Sequence, residues 1–125
     1  MKNALEELKN ALKTGNIVSV TEEICMHVEK YDLEGLILPD RCKPIYPFCA
    51  TIISCAPRKY LEYHAADLME WFQDLNWPGA DIIADVLRSL PQRVLDDALA
   101  KARALAELKG DEEWLWGLDQ VFLRA

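Results

Sequence analysis

Between residues 60 and 87 the chain carries six acids, Glu62, Asp67, Glu70, Asp74, Asp81 and Asp85, and neither Lys nor Arg. At about 100° per helical residue, Asp67, Glu70 and Asp74 share one stripe with Tyr63, away from the face of Leu68. Asp81 and Asp85 stand one turn apart, opposite Ile83. Like charges so spaced oppose a helix by about 0.2–0.5 kcal/mol per pair, and a merely solvated face usually mixes signs. Three uses of such a stripe are open: a solvated acidic face, a docking surface for a basic protein, or a carboxylate cluster for a divalent metal or hydrolysis. The last lacks an E-x-x-H helix motif and a Gly-rich phosphate loop. Paired-acid catalysis also needs two carboxyls in different environments, whereas one exposed stripe gives them the same one. The candidate partner-binding residues are therefore Tyr63, Asp67, Glu70, Asp74, Asp81 and Asp85. No catalytic residue, metal ligand or cofactor is assigned.

His27 and His64 are the only histidines. His64 falls at the edge of the Leu68 face, where a hydrogen-bonded core-edge histidine is expected. A rival small-ligand or enzyme site would draw on His64, Trp71 and Asp74. No Ser–His–Asp or Cys–His constellation can be assembled from sequence order. Cys25, Cys42, Cys49 and Cys55 form no C-x-x-C pair. With His27 they match no standard zinc spacing, and Cys25, Cys49 and Cys55 sit among apolar neighbours as small hydrophobes do. Reduced, buried thiols are expected.

Charge narrows the partner. The 125 residues carry a net charge of -7, most of it in the second half. Such a chain repels phosphate backbones, which disfavours nucleic acid. No apolar run approaches the length of a membrane span. The start, MKNALEELKNALK, lacks the apolar region of a secretory signal. A cytoplasmic protein with a protein partner of basic charge is the expectation, with a homo-oligomer formed through the apolar face of residues 1–35 as the alternative.

The elements that would position these groups read as helices. Leu5, Leu8 and Leu12 give one face over 2–13, which Gly15 and Asn16 break. Ile17, Val20, Ile24 and Val28 give a second over 17–30. Pro39, Pro44 and Pro47 make 31–47 irregular. FCATIISCA, 48–56, has strand-like composition but no partner strand, so a short buried helix is predicted. Leu61, Ala65, Leu68, Phe72 and Leu75 form one stripe of a helix running from 58. Pro78 is placed as the first residue of the next helix, with Ile83, Val86, Leu87 and Leu90 inside. After Pro91, Leu95, Ala98, Leu99, Ala102, Leu105 and Ala106 line a further helix. Gly110 suits its left-handed end, and Asp111 caps a last helix bearing Trp114, Leu115, Leu118 and Phe122.

WFQDLNWPGA, 71–80, reads as the corner between two of these helices. Trp77 precedes a proline and is pushed toward extended backbone. Asn76 tolerates a left-handed conformation. Gln73 and Asp74 can satisfy orphan groups at the helix ends, while Trp71 and Trp77 cover the corner with apolar area.

LMEWFQDLNWPGA resembles the hallmark of an uncharacterised bacterial domain-of-unknown-function family of small helical domains, whose members read L-x-W-L-Q-D-x-N-W-P-x-A here. The match runs through Leu68, Trp71, Gln73, Asp74, Asn76, Trp77, Pro78 and Ala80. A second family-like block, GDEEW at Gly110, Asp111, Glu112, Glu113 and Trp114, follows at the family's distance, and ILPDRCK at 37–43 resembles its opening. Gly79 stands where the family pattern has Val, which implies a slightly weaker helix start. The resemblance covers 36–125, leaving 1–35 as an added helical pair. It implies a HEAT-like fold, antiparallel helical hairpins stacked as a small α-solenoid, and brings no activity or catalytic residue. The expectation is an all-α single domain that binds a protein, with inhibition of a basic toxin or nuclease as one form.

Overall fold

The computed structural model describes residues 1–37 and 43–122. The fold is all-α, with nine α-helices among the described residues. Asn3 caps α1 (Ala4–Thr14) by accepting from the Glu6 amide at 3.1 Å. α2 (Ile17–Met26) packs antiparallel-fashion back along α1 after the turn at Gly15 and Asn16. The periodicity predicts α2 running to residue 30, but it gives way to a 3-10 turn, Val28–Lys30. That turn lets Tyr31 and Asp32 pair in parallel with Lys2 and Asn3. The pairing buries Tyr31, which a continued helix would not do. Leu8 and Ile24, from the apolar face of this pair, are buried within the chain's own core.

α3 (Glu34–Ile37) is a single turn whose Glu34 amide is capped by Asp32 at 3.1 Å. It lies inside a stretch the sequence reads as irregular. Most of ILPDRCK, including Cys42, lies outside the described residues. α4 (Tyr46–Ser54) is helical, as the absence of a partner strand implies, with Pro47 in its first turn. Cys49, Ala50, Ile52 and Ile53 are buried, and α2, α3 and α7 (Ala80–Arg88) pack around it.

The predicted helix from 58 to 75 is not continuous. α5 (Arg58–Tyr63) stops at His64, α6 (Ala65–Leu68) adds one turn, and Met69–Gln73 winds as a 3-10 helix. The cause is visible in the side chains. Leu68, Met69, Trp71 and Phe72 are all buried. At about 100° per residue they would spread over roughly 160° of a helix. At the 3-10 value of three residues per turn, 68 stacks on 71 and 69 on 72, narrowing the arc to about 120°. The tighter winding presents all four to the core.

α8 (Gln92–Lys109) buries Ala98, Ala102 and Ala106, whose small side chains let α6 come close. Leu105 is exposed at the edge of that face rather than inside it. At the end of α8, Gly110 has φ 66, its amide bonds Glu107 and the Asp111 amide bonds Ala106. These are the two bonds of a Schellman motif. Asp111 then accepts from the Trp114 amide at 3.0 Å to start α9 (Glu112–Phe122). An Arg103–Asp119 ion pair joins α8 to α9.

α9 fits against the 3-10 segment. The Trp114 indole donates to the Met69 carbonyl at 3.0 Å. Gly117 approaches so closely that a Cβ there would stand 2.2 Å from the Phe72 carbonyl oxygen. Phe122 meets Phe72 edge to face at 5.2 Å.

Candidate functional site

The corner at 74–80 is built from two successive turns. Asp74 accepts from the Asn76 amide through its side chain at 2.8 Å, and from the Trp77 amide through its carbonyl at 3.0 Å. The Ala80 amide then bonds the Trp77 carbonyl, with Pro78 and Gly79 between them. Gly79 has φ 97 and ψ -8, the values of the third position of a type II turn, which needs glycine. Pro78 is thus a turn residue, not the first residue of α7, and the corner's left-handed backbone is at Gly79. The expected weakening at Gly79 is also corrected. A Cβ there would lie 2.8 Å from Ala50 Cβ and 3.2 Å from the Tyr46 carbonyl, so a Val would not fit.

The aromatic residues of the motif divide by role. Trp71 is 1% exposed, and its indole donates to the Ile37 carbonyl at 2.5 Å. Trp77 is half-buried, edge-on to Tyr46 at 5.6 Å. Gln73 bonds Glu70 at 3.3 Å rather than a helix end. Of the rival site's residues, Trp71 is spent on the core, Asp74 closes the corner and His64 pairs with Asp67.

What the broken helix does bring together is a shallow acidic depression of about 320 Å³, lined by Glu34, Ile37, His64, Asp67 and Glu70. α3 supplies the first two, the α5–α6 junction His64, α6 Asp67 and the 3-10 segment Glu70. His64 Nδ1 lies 3.2 Å from Asp67 Oδ2, and its ring is flanked by Tyr60 at 4.4 Å and by Tyr63 edge-on at 4.8 Å. Tyr63 itself is 82% exposed. The Tyr60 hydroxyl is buried with no hydrogen-bond partner among the described residues. Burial, then the charges of Glu34 and Asp32, push it up to about 12.

The remaining acids of the predicted stripe go elsewhere. Asp81 and Asp85 line a separate hollow with Phe72, Leu75 and Arg88, where Arg88 pairs with Asp85 at 3.3 Å. Folding also brings Lys101 of α8 beside Asp67 and Glu70, on the side facing Trp114, although Lys101 pairs with Asp97 at 3.0 Å. The stripe is thus less uniformly acidic in space than in sequence. Glu34 and Ile37 were not foreseen; Asp32 placed two residues before Glu34 is the capping signal that marks their helix.

Among the described residues no three His, Cys, Asp or Glu side chains converge as a metal site, and no helix is long and apolar enough to cross a membrane. Of the thiols, Cys49 is buried and Cys25 half-buried, while Cys55 is exposed, against the expectation that it packs inside. No curated protein and no solved structure matches the chain. Residues 40–124 match the family model described as "Domain of unknown function (DUF5071)", and the chain belongs to that family.

Proposed function

We propose that this protein is a non-enzymatic binding module for a basic protein, and that the depression between α3, α6 and the 3-10 segment receives a Lys or Arg side chain of that partner. The observation that carries this reading is the lining itself: three carboxylates and a histidine around the apolar Ile37, with neither Lys nor Arg in the lining. Its volume, about 320 Å³, is at the low end for small-molecule pockets and suits one long side chain. The apolar stem of Lys or Arg would lie on Ile37 while its charged head meets Asp67 and Glu70. Such complementarity chiefly speeds association and selects the partner. An inhibitor or immunity-type role toward a basic toxin or nuclease is one form of this activity.

The same reading treats residues 1–35 as an accessory helical pair, supported by a family match that begins at residue 40. A HEAT-like stacking is supported by the packed pairs α1–α2 and α8–α9.

The test is titration with Arg- and Lys-rich peptides, read by NMR amide shifts in the wild type and in an Asp67→Lys, Glu70→Lys double variant. Shifts around Glu34, His64 and Glu70 that fade with added salt and vanish in the double variant are expected. Equal binding by both proteins, or shifts confined to α7 and α9, would overturn the assignment.

A further inference from the structure

We propose that Cys25 and Cys55 are a modification site: a dithiol that a low-molecular-weight disulfide such as oxidised glutathione converts to an intramolecular disulfide, tying α2 to α4. Cys25 is in the last turn of α2, and Cys55 is the residue that ends α4; the two helices pack on one another. The Cys25 Sγ lies 3.8 Å from the Thr51 carbonyl. Thr51 is one helical turn before Cys55, so both thiols occupy the same side of α4. The Cys55 thiol is also close enough to help raise the Cys25 pKa. Packing does not account for Cys55, since it is exposed at a helix end.

Their unequal surroundings set the order of events. Cys25 is half-buried, and burial, the neighbouring Cys55 thiol and the charge of Glu22 push it up to about 12. Cys55 is the sulfur an incoming disulfide can meet. Its thiolate attacks one sulfur of oxidised glutathione, forming a mixed disulfide and expelling one glutathione thiolate. The Cys25 thiolate then attacks Cys55 Sγ, forming the Cys25–Cys55 bond and expelling the second glutathione. Two protein thiols are oxidised, one glutathione disulfide is reduced to two thiols, and the two protons end on those thiols. Because Cys25 must lose its proton in the second step, closure accelerates with pH.

Intact mass spectrometry of the native full chain after incubation with oxidised glutathione tests the scheme. Wild type is expected to lose two hydrogens without retaining glutathione. Cys25→Ser is expected to stop at a glutathione adduct, and Cys55→Ser to acquire neither that adduct nor the cross-link. A wild type that retains glutathione on Cys55 at completion, or a cross-link that survives in Cys55→Ser, would overturn the proposal. Circular dichroism of each variant establishes that it is folded before the comparison is made.

Discussion

Gly79 separates two reasons for a glycine within one chain. Replacing it with Ala puts an L-residue at φ 97, which costs about 1–2 kcal/mol. It also drives a methyl to 2.8 Å from Ala50 Cβ and 3.2 Å from the Tyr46 carbonyl. Ala50 has no rotamer to move and the carbonyl is backbone, so the overpacking adds about 1–3 kcal/mol. Gly79→Ala should therefore cost about 2–5 kcal/mol in all. Two controls isolate the parts. Gly110 has φ 66 with nothing within 4 Å of a Cβ, so Gly110→Ala should show the conformational part alone, about 1 kcal/mol. Gly117 is inside α9, where an added Cβ would stand 2.2 Å from the Phe72 carbonyl oxygen. Gly117→Ala should show the steric part, about 2 kcal/mol or more after the gain in helix propensity. Urea unfolding followed by tryptophan fluorescence, with an unchanged m value, gives all three. A Gly79→Ala cost within about 0.5 kcal/mol of Gly110→Ala would refute the contact with α4.

Trp114→Phe keeps a ring but deletes the donor to the Met69 carbonyl, and should cost about 1–3 kcal/mol in the same assay. Trp77→Ala removes only a half-buried ring. It should fall below the roughly 3–5 kcal/mol that a buried tryptophan would imply, and below Trp71→Ala. Stability should decline in alkali. Cys25 is pushed up from 9.0 and Tyr60 from 10.0, each to about 12, so the folded chain holds protons that the unfolded chain releases. Their contribution is complete below pH 9 and is lost as pH rises toward 12. The melting temperature should fall through that window, and less so in a Cys25→Ser, Tyr60→Phe variant; an identical fall in both would remove these groups as its cause.

Periodicity made the helices legible wherever one face alone meets the core. α1 and α8 follow from their apolar spacing, α4 from the lack of a partner strand, and the boundary at Gly110 and Asp111 from capping chemistry. Periodicity fails where the winding changes. Leu61, Ala65, Leu68 and Phe72 step as a single α-helix steps, yet four buried residues in the five from 68 to 72 demand the tighter 3-10 turn. That is settled by the neighbours α8 and α9, which no local window contains. The candidate site shows the same division. Asp67 and Glu70 were legible as a pair of acids on one stripe. Glu34 and Ile37 come from a single turn more than 25 residues earlier in the chain, and their arrival depends on the Trp71 indole holding the Ile37 carbonyl. The sequence also placed Asp81 and Asp85 with them, since nothing local tells that a type II turn at Pro78 and Gly79 sends α7 toward a different hollow.

α9 stands toward the 3-10 segment as a tethered ligand stands toward its receptor. A short connection at Gly110 keeps it at high effective concentration, and it holds residues 69–73 through Trp114, Gly117 and Phe122. Glu70, in the middle of that segment, lines the acidic depression. Linkage then runs both ways. A partner that favours one winding of residues 69–73 changes the hold of α9 by the same factor by which α9 changes the hold of the partner. Residues 69–73 are thereby the element through which α9 and anything bound in the depression would feel one another.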